Sequence, residues 1–137
     1  MSTTTAVVAT AAATTAAAPE WRCSVRDPWF TYLEQGRKVF EIRKAGGTWK
    51  DAVAGTVLDV VDPVDSRRRF RMEIVDVMHF KGPAALADCL TAVGLENALP
   101  DIPTIERGVE IYLGFGWSRE EIAAHGVLAL RVAKLGD

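Results

Sequence analysis

The chain changes from a helical to an extended pattern within one short stretch, Gly36-Arg37-Lys38-Val39-Phe40-Glu41-Ile42-Arg43. Apolar and charged residues alternate here with the two-residue period of a β-strand. Phe40 and Ile42 share the face that a core requires, which leaves Glu41 and Arg43 together on the other face. We therefore predict a strand with one buried face and one polar face.

The residues upstream of this stretch predict a helix over 28–35. Asp27 offers a carboxylate to the free N–H groups of a helix start, and Pro28 suits the first helical position. Gly36 then ends the helix, because glycine adopts the left-handed conformation at a helix C-terminus without strain. Lys38 consequently stands at the mouth of the strand, directly after the helix.

The rest of the chain predicts strands and helices in an order that favours an α+β domain. Ile74 and Val75 are consecutive apolar residues in a strand that otherwise alternates, which indicates a bulge or bend. Residues 20–25 and 117–124 show no clear pattern and are assigned no element. A few long strands that must hide their edges favour a small β-barrel with helices packed on it. The predicted strands cover 38–43, 56–61, 69–80 and 126–133, and the further helices cover 84–92 and 104–113.

The composition indicates one folded domain preceded by a tail. With 137 residues, 49% of them hydrophobic and 25% charged, the chain is long enough to bury a core without disulfides or metals. Its first residues are nearly all Ala, Thr and Val, which cannot bury enough surface to fold alone. We predict a disordered Ala/Thr-rich tail over 1–20, with a cleaved targeting segment as the alternative, and a folded domain over 21–137.

Charge and cysteine content argue against several classes of protein. A formal net charge of -2 argues against a protein that coats long duplex nucleic acid, which needs a basic face. Cys23 and Cys89 lie far apart, without a CxxC pair or a Cys/His cluster, so we predict neither a disulfide nor a metal site. Outside the Ala/Thr-rich start, no apolar run is long enough to predict a membrane span. We expect free thiols in a reducing, cytoplasmic compartment, no membrane contact and no cofactor.

Three charged residues of the opening stretch form a candidate binding site. Glu41 and Arg43 share a strand face, and Lys38 at the strand mouth can converge with them on one cleft. Arg43 offers a planar fork that grips a phosphate or a base edge, and Lys38 offers a compact charge whose pKa falls on burial. Glu41 can accept hydrogen bonds from a base or hold Lys38 in place. The alternative interpretation is a solvated surface salt bridge of small worth.

The pattern Gly36-x-Lys38-x-x-Glu41-x-Arg43 resembles the G-x-K-x-x-E-x-R motif of the ASCH family, including the helix before it and the strand after it. The similarity extends over about residues 22–134. It implies a PUA-like barrel and a functional cleft lined by these three charged side chains. Because the family is associated with RNA-linked processes, it also implies RNA or a nucleoside or nucleotide as the partner.

The same resemblance leaves an enzymatic alternative open. Some bacterial relatives remove the acetyl group of N4-acetylcytidine with the motif Lys, a Thr at the position of Glu41, and a downstream Glu. The chain has the Lys as Lys38 and offers Glu96 as a downstream carboxylate, but it lacks the Thr. If the protein is a hydrolase acting on a modified nucleoside or on RNA, Lys38 and Glu41 are the predicted catalytic residues. We otherwise predict a binding domain.

Aromatic and basic residues elsewhere add weaker signals. Trp49 and Trp117 lie in Gly-rich, loop-like stretches, and we predict that they help to bind a base by stacking. An Arg run in the predicted hairpin can touch RNA phosphates, although a polar hairpin with outward Arg side chains also explains it. The helices over 84–92 and 104–113 leave a protein partner possible but unspecified. The Arg run consists of Arg67, Arg68, Arg69 and Arg71.

Overall fold

The computed structural model describes residues 20–136, which contain five β-strands, five α-helices and one 3-10 helix. The predicted tail over 1–20 therefore lies outside the described residues, except that Glu20 is the first residue of a strand. In chain order the elements are β1 (Glu20–Ser24), α1 (Trp29–Glu34), β2 (Phe40–Lys44), the 3-10 helix (Gly47–Asp51), β3 (Val57–Val61), β4 (Arg69–Phe80), α2 (Ala85–Val93), α3 (Leu95–Ala98), α4 (Ile105–Gly114), α5 (Arg119–His125) and β5 (Val127–Lys134).

The five strands form one mixed sheet in the order β1-β3-β4-β5-β2. The pair of β1 and β3 is parallel, and the other three pairs are antiparallel. The sheet is curled into a half-barrel with helices packed on it, which confirms the predicted α+β fold with a small barrel-like sheet. The curl brings the two edge strands, β1 and β2, close enough for a side chain of β2 to reach the backbone of β1, as described below.

The alternating side chains of β5 divide the core into two clusters on opposite faces of the sheet. Leu128 and Leu130 belong to the cluster that α1 covers, together with residues of β1, β3 and β4. Val127 and Ala129 belong to the cluster that the helices α2 to α5 cover. The strand β2 is a neighbour of β5, so its own alternate residues also divide between these two sides.

Most of the predicted elements are present with boundaries shifted by one or two residues. The α1 helix begins at Trp29 with Pro28 at its N-cap, so Pro28 and Asp27 each lie one residue before their predicted helical positions. The Asp27 Oδ1 still accepts a hydrogen bond from the N–H of Thr31 at 3.1 Å, as expected of a carboxylate beside a helix start. Thr104 caps α4 by accepting from the N–H of Arg107 at 3.1 Å. The predicted bulge in β4 is confirmed by a shift of register between Ile74 and Asp76.

The two stretches that were assigned no element are a strand and a helix. β1 is short and polar, and it forms by pairing with β3, a partner distant in sequence. The start of α5 carries a local signal that the prediction missed. Ser118 and Glu121 form a capping box, in which each side chain receives a hydrogen bond from the other residue's backbone N–H. No helix within residues 20–136 is long and apolar enough to cross a membrane.

Candidate functional site

A cleft with a volume of about 700 Å³ opens where β2 meets the end of β1, the 3-10 helix and the α4–α5 region. Its lining includes the three charged residues of the motif, Lys38, Glu41 and Arg43. The two tryptophans that we predict to stack on a base, Trp49 and Trp117, line the cleft as well. The structure thus brings all five predicted site residues to one cleft.

Lys38 is buried at the base of this cleft, directly before β2. Its Nζ donates to the backbone oxygen of Phe40 at 2.6 Å and to that of Ala98 at 2.7 Å. A carboxylate oxygen of Glu41, Oε1, lies 3.5 Å from the same Nζ. The three protons of an ammonium group therefore have three acceptors. This arrangement fixes Lys38 in place and ties β2 to the end of α3.

Glu41 joins Lys38 to Arg43. The other carboxylate oxygen of Glu41, Oε2, accepts from Arg43 Nε at 2.8 Å and lies 2.6 Å from Arg43 Nη2. Both oxygens of the carboxylate therefore face a cation. The Lys38 and Glu41 side chains are only 2% and 8% exposed, so the interpretation as a solvated surface salt bridge is wrong. The charged side chains at this face of β2 contact the end of α3, β1 and the Trp49 ring.

The Arg43 guanidinium spans from β2 to β1. Its Nη2 donates to the backbone oxygen of Ser24 at 3.1 Å and to the sulfur of Cys23 at 3.2 Å. The guanidinium carbon lies 4.8 Å from the centre of the Trp49 ring, a distance typical of a cation–π contact. Arg43 is therefore held from three sides and has one arrangement in the cleft.

The ionisation of this group follows from burial and pairing. Burial would raise the pKa of the Glu41 carboxyl, but the charges of Arg43 and Lys38 outweigh it, so its pKa lies below the ordinary value. Burial lowers the pKa of Lys38, and the charge of Glu41 offsets part of that effect. Burial opposes the charge of Arg43, yet Glu41 raises its pKa. Burial also raises the pKa of the Cys23 thiol to about 12, so this sulfur is a poor nucleophile.

Aromatic rings form much of the remaining wall. Trp49 packs edge-on against Trp21, with ring centres 5.6 Å apart, and belongs to the side of the core under α1. Trp117 packs against Tyr112, with ring centres 5.0 Å apart, and belongs to the side under α2 to α5. Phe115 follows α4, and its side chain is largely exposed. The cleft consequently lies between the two hydrophobic clusters, with aromatic residues from both.

Tyr112 is a lining residue that the sequence interpretation missed. It is buried, and its hydroxyl has no hydrogen-bond partner within residues 20–136. Burial, followed by the nearby charge of Glu41, holds the pKa of this phenol well above its ordinary value. The position of Tyr112 in α4 accounts for burial of the ring, but the sequence carries no signal for an unpaired hydroxyl.

Several other candidates from the sequence lie away from the cleft. Glu96, the downstream carboxylate of the hydrolase interpretation, is exposed in α3 with its Oε2 3.7 Å from Arg37 Nη2, and it does not line the cleft. The Arg run also lies elsewhere, and each of its members is matched by an acidic partner. The pairs are Arg67 with Asp65, Arg68 with Asp27 and Asp62, Arg69 with Asp59, and Arg71 with Glu20.

The rim of the cleft carries further charged groups. Lys44 forms an ion pair with Glu121, with Nζ 3.2 Å from Oε1. Arg26 is exposed and makes no ion pair with the residues that the structure describes.

The Nε2 of His79 lies 3.0 Å from the backbone oxygen of His125, which supports a structural role for the His79 ring. Within residues 20–136, no three His, Cys, Asp or Glu side chains are grouped to hold a metal ion.

The fold and cleft define the chain as an α+β domain with a curled five-stranded sheet. No protein-family model matches the sequence, and no curated protein matches it. Four solved chains match in fold, and two of them illustrate the similarity. The crystal structure of hypothetical protein PH0355 has a TM-score of 0.74 and 19% identity, covering 85% of this chain and 99% of that one. The solution structure of protein PF0455 from Pyrococcus furiosus has a TM-score of 0.69 and 20% identity, covering 86% and 99%. At this identity the likeness establishes the fold alone.

Proposed function

We propose that this protein is an ASCH-type domain that binds a nucleobase, presented by a free nucleoside or by single-stranded RNA, in the cleft beside Lys38, Glu41 and Arg43. The observation that carries the proposal is the joint placement of this buried charged group and several aromatic rings in one cleft of about 700 Å³. Flat aromatic walls with a few fixed polar groups are the usual features of a site for a base.

Binding has better support than catalysis because of the contacts of Lys38. A catalytic lysine needs a free amine within reach of the substrate. The Lys38 Nζ is instead engaged by two backbone oxygens and by Glu41. The lowered pKa of Lys38 is the observation that favours the second candidate, a hydrolase acting on a modified nucleoside.

The binding proposal is tested by titration of the protein with adenosine, guanosine, cytidine and uridine and with a short single-stranded RNA. Phe115 lines the cleft and is 52% exposed, so Phe115→Ala removes a cleft ring at little cost to the fold. Val64→Ala, at a residue that is 89% exposed and does not line the cleft, is the matched control. We expect Phe115→Ala to weaken binding severalfold and Val64→Ala to leave it unchanged. If the wild-type protein binds none of these compounds, the proposal is wrong.

The hydrolase candidate has a separate test. The wild-type protein is incubated with N4-acetylcytidine and with the short RNA, and the products are separated by chromatography. The binding proposal predicts that neither compound is converted. A product that forms in proportion to the protein and disappears in a folded Lys38 variant would favour the enzyme instead.

A further inference from the structure

The three charged side chains of the cleft differ in how far a ligand can reach them. The Lys38 side chain is 2% exposed and that of Glu41 is 8% exposed. The Arg43 side chain, at the same site, is 23% exposed. A molecule that enters the cleft therefore contacts mainly the guanidinium of Arg43. Lys38 and Glu41 influence the ligand indirectly, through their effect on the charge and position of Arg43.

The contacts of Arg43 leave one part of the guanidinium for a ligand. Its Nε and Nη2 are used by Glu41, Cys23 and Ser24. Its Nη1 has no hydrogen-bond partner among the described residues 20–136. Because the Trp49 ring lies against the guanidinium, these contacts fix its orientation before a ligand arrives. A donor that is already oriented loses little freedom when it binds an acceptor.

The net charge of the group sets which ligand atom is favoured. Two backbone oxygens and the Glu41 carboxylate surround the Lys38 Nζ and favour its charged form, while burial lowers its pKa. In the charged form of Lys38, two cations, Lys38 and Arg43, share the single carboxylate of Glu41, which leaves one positive charge in excess. An electron-rich oxygen is attracted to this site, whereas an amino group would place its own donors against those of Arg43.

From these contacts we infer that Arg43 contacts the ligand directly and that the cleft selects a base with a carbonyl oxygen over one with an amino group at the same position. The inference rests on the proposed function and specifies which bases the site accepts. A phosphate would offer similar acceptor oxygens, but the aromatic walls around Arg43 fit a base. The recognised chemistry is an acceptor oxygen, and the experiment distinguishes its two sources.

Two pairs of nucleosides test the inference with the wild-type protein. Inosine has a carbonyl oxygen where adenosine has an amino group. Uridine likewise has a carbonyl oxygen where cytidine has an amino group. We expect the oxygen-bearing member to bind about tenfold more tightly in at least one pair, as measured by calorimetry, since a hydrogen bond to a charged donor has this effect. Equal affinities in both pairs, or tighter binding of the amino members, would overturn the inference.

Inorganic phosphate and the 5′-monophosphates form the second arm. If phosphate alone binds as tightly as the nucleosides, the acceptor is a phosphate and the inference is wrong. Failure of the wild-type protein to bind any nucleoside or RNA overturns the proposed function together with the inference. Binding without preference for the oxygen-bearing base overturns the inference alone.

Variants of two arginines, one inside the cleft and one outside it, provide the final comparison. Arg43→Lys keeps the positive charge but loses the fork, so we expect the preference for the oxygen-bearing base to fall to less than threefold. Arg67→Ala removes an exposed cation outside the cleft and should leave the preference unchanged. Thermal unfolding verifies that each variant is folded. If Arg43→Lys does not fold, the wild-type nucleoside pairs decide the outcome by themselves.

Discussion

Arg43 on β2 donates a hydrogen bond from Nη2 to the backbone oxygen of Ser24 on β1 at 3.1 Å, which links the two edge strands of the sheet. The strands β1 and β2 are not neighbours in the backbone hydrogen-bond ladder. The side chain therefore joins two edges that the backbone leaves apart. The same guanidinium is the most exposed part of the charged group. Arg43 therefore both links β1 to β2 and forms the proposed contact with a ligand.

We expect Arg43→Ala to destabilise the fold substantially. The change leaves the buried Glu41 carboxylate with one cation and removes the contact to Ser24, and breaking such a pair costs about 3 kcal/mol. Arg67→Ala is the matched control, because Arg67 pairs with Asp65 at the surface, where solvent screening leaves an ion pair with little effect on stability. Urea denaturation followed by circular dichroism measures both free energies of unfolding. Equal losses would contradict the role of Arg43 as the joint between β1 and β2.

A second prediction compares two lysines that line the cleft. Lys38→Met leaves the oxygens of Phe40 and Ala98 without a donor in a buried place, and we expect a loss of about 3 kcal/mol or more. Lys44→Met breaks only a partly exposed pair with Glu121, which solvent screens, and should cost far less. Denaturation of both variants by urea checks the difference. A Lys38→Met variant as stable as Lys44→Met would show that the buried ammonium is dispensable.

Glu41 predicts a dependence of stability on acid. Its pKa in the folded protein lies below the ordinary value of 4.5, because Arg43 and Lys38 favour the charged carboxylate over the effect of burial. The charged Glu41 carboxylate therefore contributes its full stabilisation of the fold above about pH 4.5. This contribution is lost as the pH falls through the folded-state pKa of Glu41. The Glu41→Gln variant has no carboxylate at this position, so it lacks this contribution to the pH dependence of stability.

The free energy of unfolding of both proteins, measured between pH 7 and pH 3, tests this prediction. We expect Glu41→Gln to be less stable than wild type by about 3 kcal/mol at neutral pH. The gap should narrow in acid, because only the wild type loses the contribution of this carboxylate. Other acidic groups titrate in both proteins and cancel in the comparison. A gap that stays constant down to pH 3 would contradict the lowered pKa of Glu41.

The sequence predicts the shared face of Glu41 and Arg43, but it leaves open whether that face is buried. The period of two fixes which residues lie on one side of β2, because it is a property of the local backbone. Burial of that side depends on the curl of the sheet and on β1. β1 in turn forms by pairing in parallel with β3, and a five-residue polar segment carries no local sign of a partner so distant in sequence.

Tyr112 shows the same limit from the other core cluster. The helical period of α4 accounts for the buried ring of Tyr112, whereas the missing partner of its hydroxyl depends on which groups α2 and β2 bring near it. Local rules do succeed where one segment contains both partners. The cap of α4 by Thr104, at the start of a predicted helix, is such a case. The capping box of α5 is equally local, but the prediction missed this signal.

The unpaired hydroxyl of Tyr112 gives a prediction of opposite sign to most core substitutions. Tyr112→Phe keeps the ring against Trp117 and removes a buried polar atom without a partner, so we expect stability to stay the same or to rise by up to about 1 kcal/mol. Tyr32→Phe removes a hydroxyl that donates to Asp101 at 2.9 Å, and it should be less stable than wild type. Thermal and urea unfolding of the two variants measure the contrast. A larger loss in Tyr112→Phe than in Tyr32→Phe would mean that the Tyr112 hydroxyl is hydrogen-bonded in solution.

Gly126 joins α5 to β5 beside the cleft, and it has no room for a side chain. Its φ is 78°, and a Cβ atom there would clash with the backbone oxygen of Phe80. Because that oxygen belongs to β4, relief of the clash must shift the pairing of two strands. Gly36, at φ 79°, has no atom within 4 Å of its Cβ position, so Gly36→Ala bears only the cost of the left-handed backbone, about 1 kcal/mol. We expect Gly126→Ala to lose more than about 3 kcal/mol or to fail to fold, and urea unfolding of the two variants tests this. Equal losses would show that the β4–β5 pair yields more easily than the close approach implies.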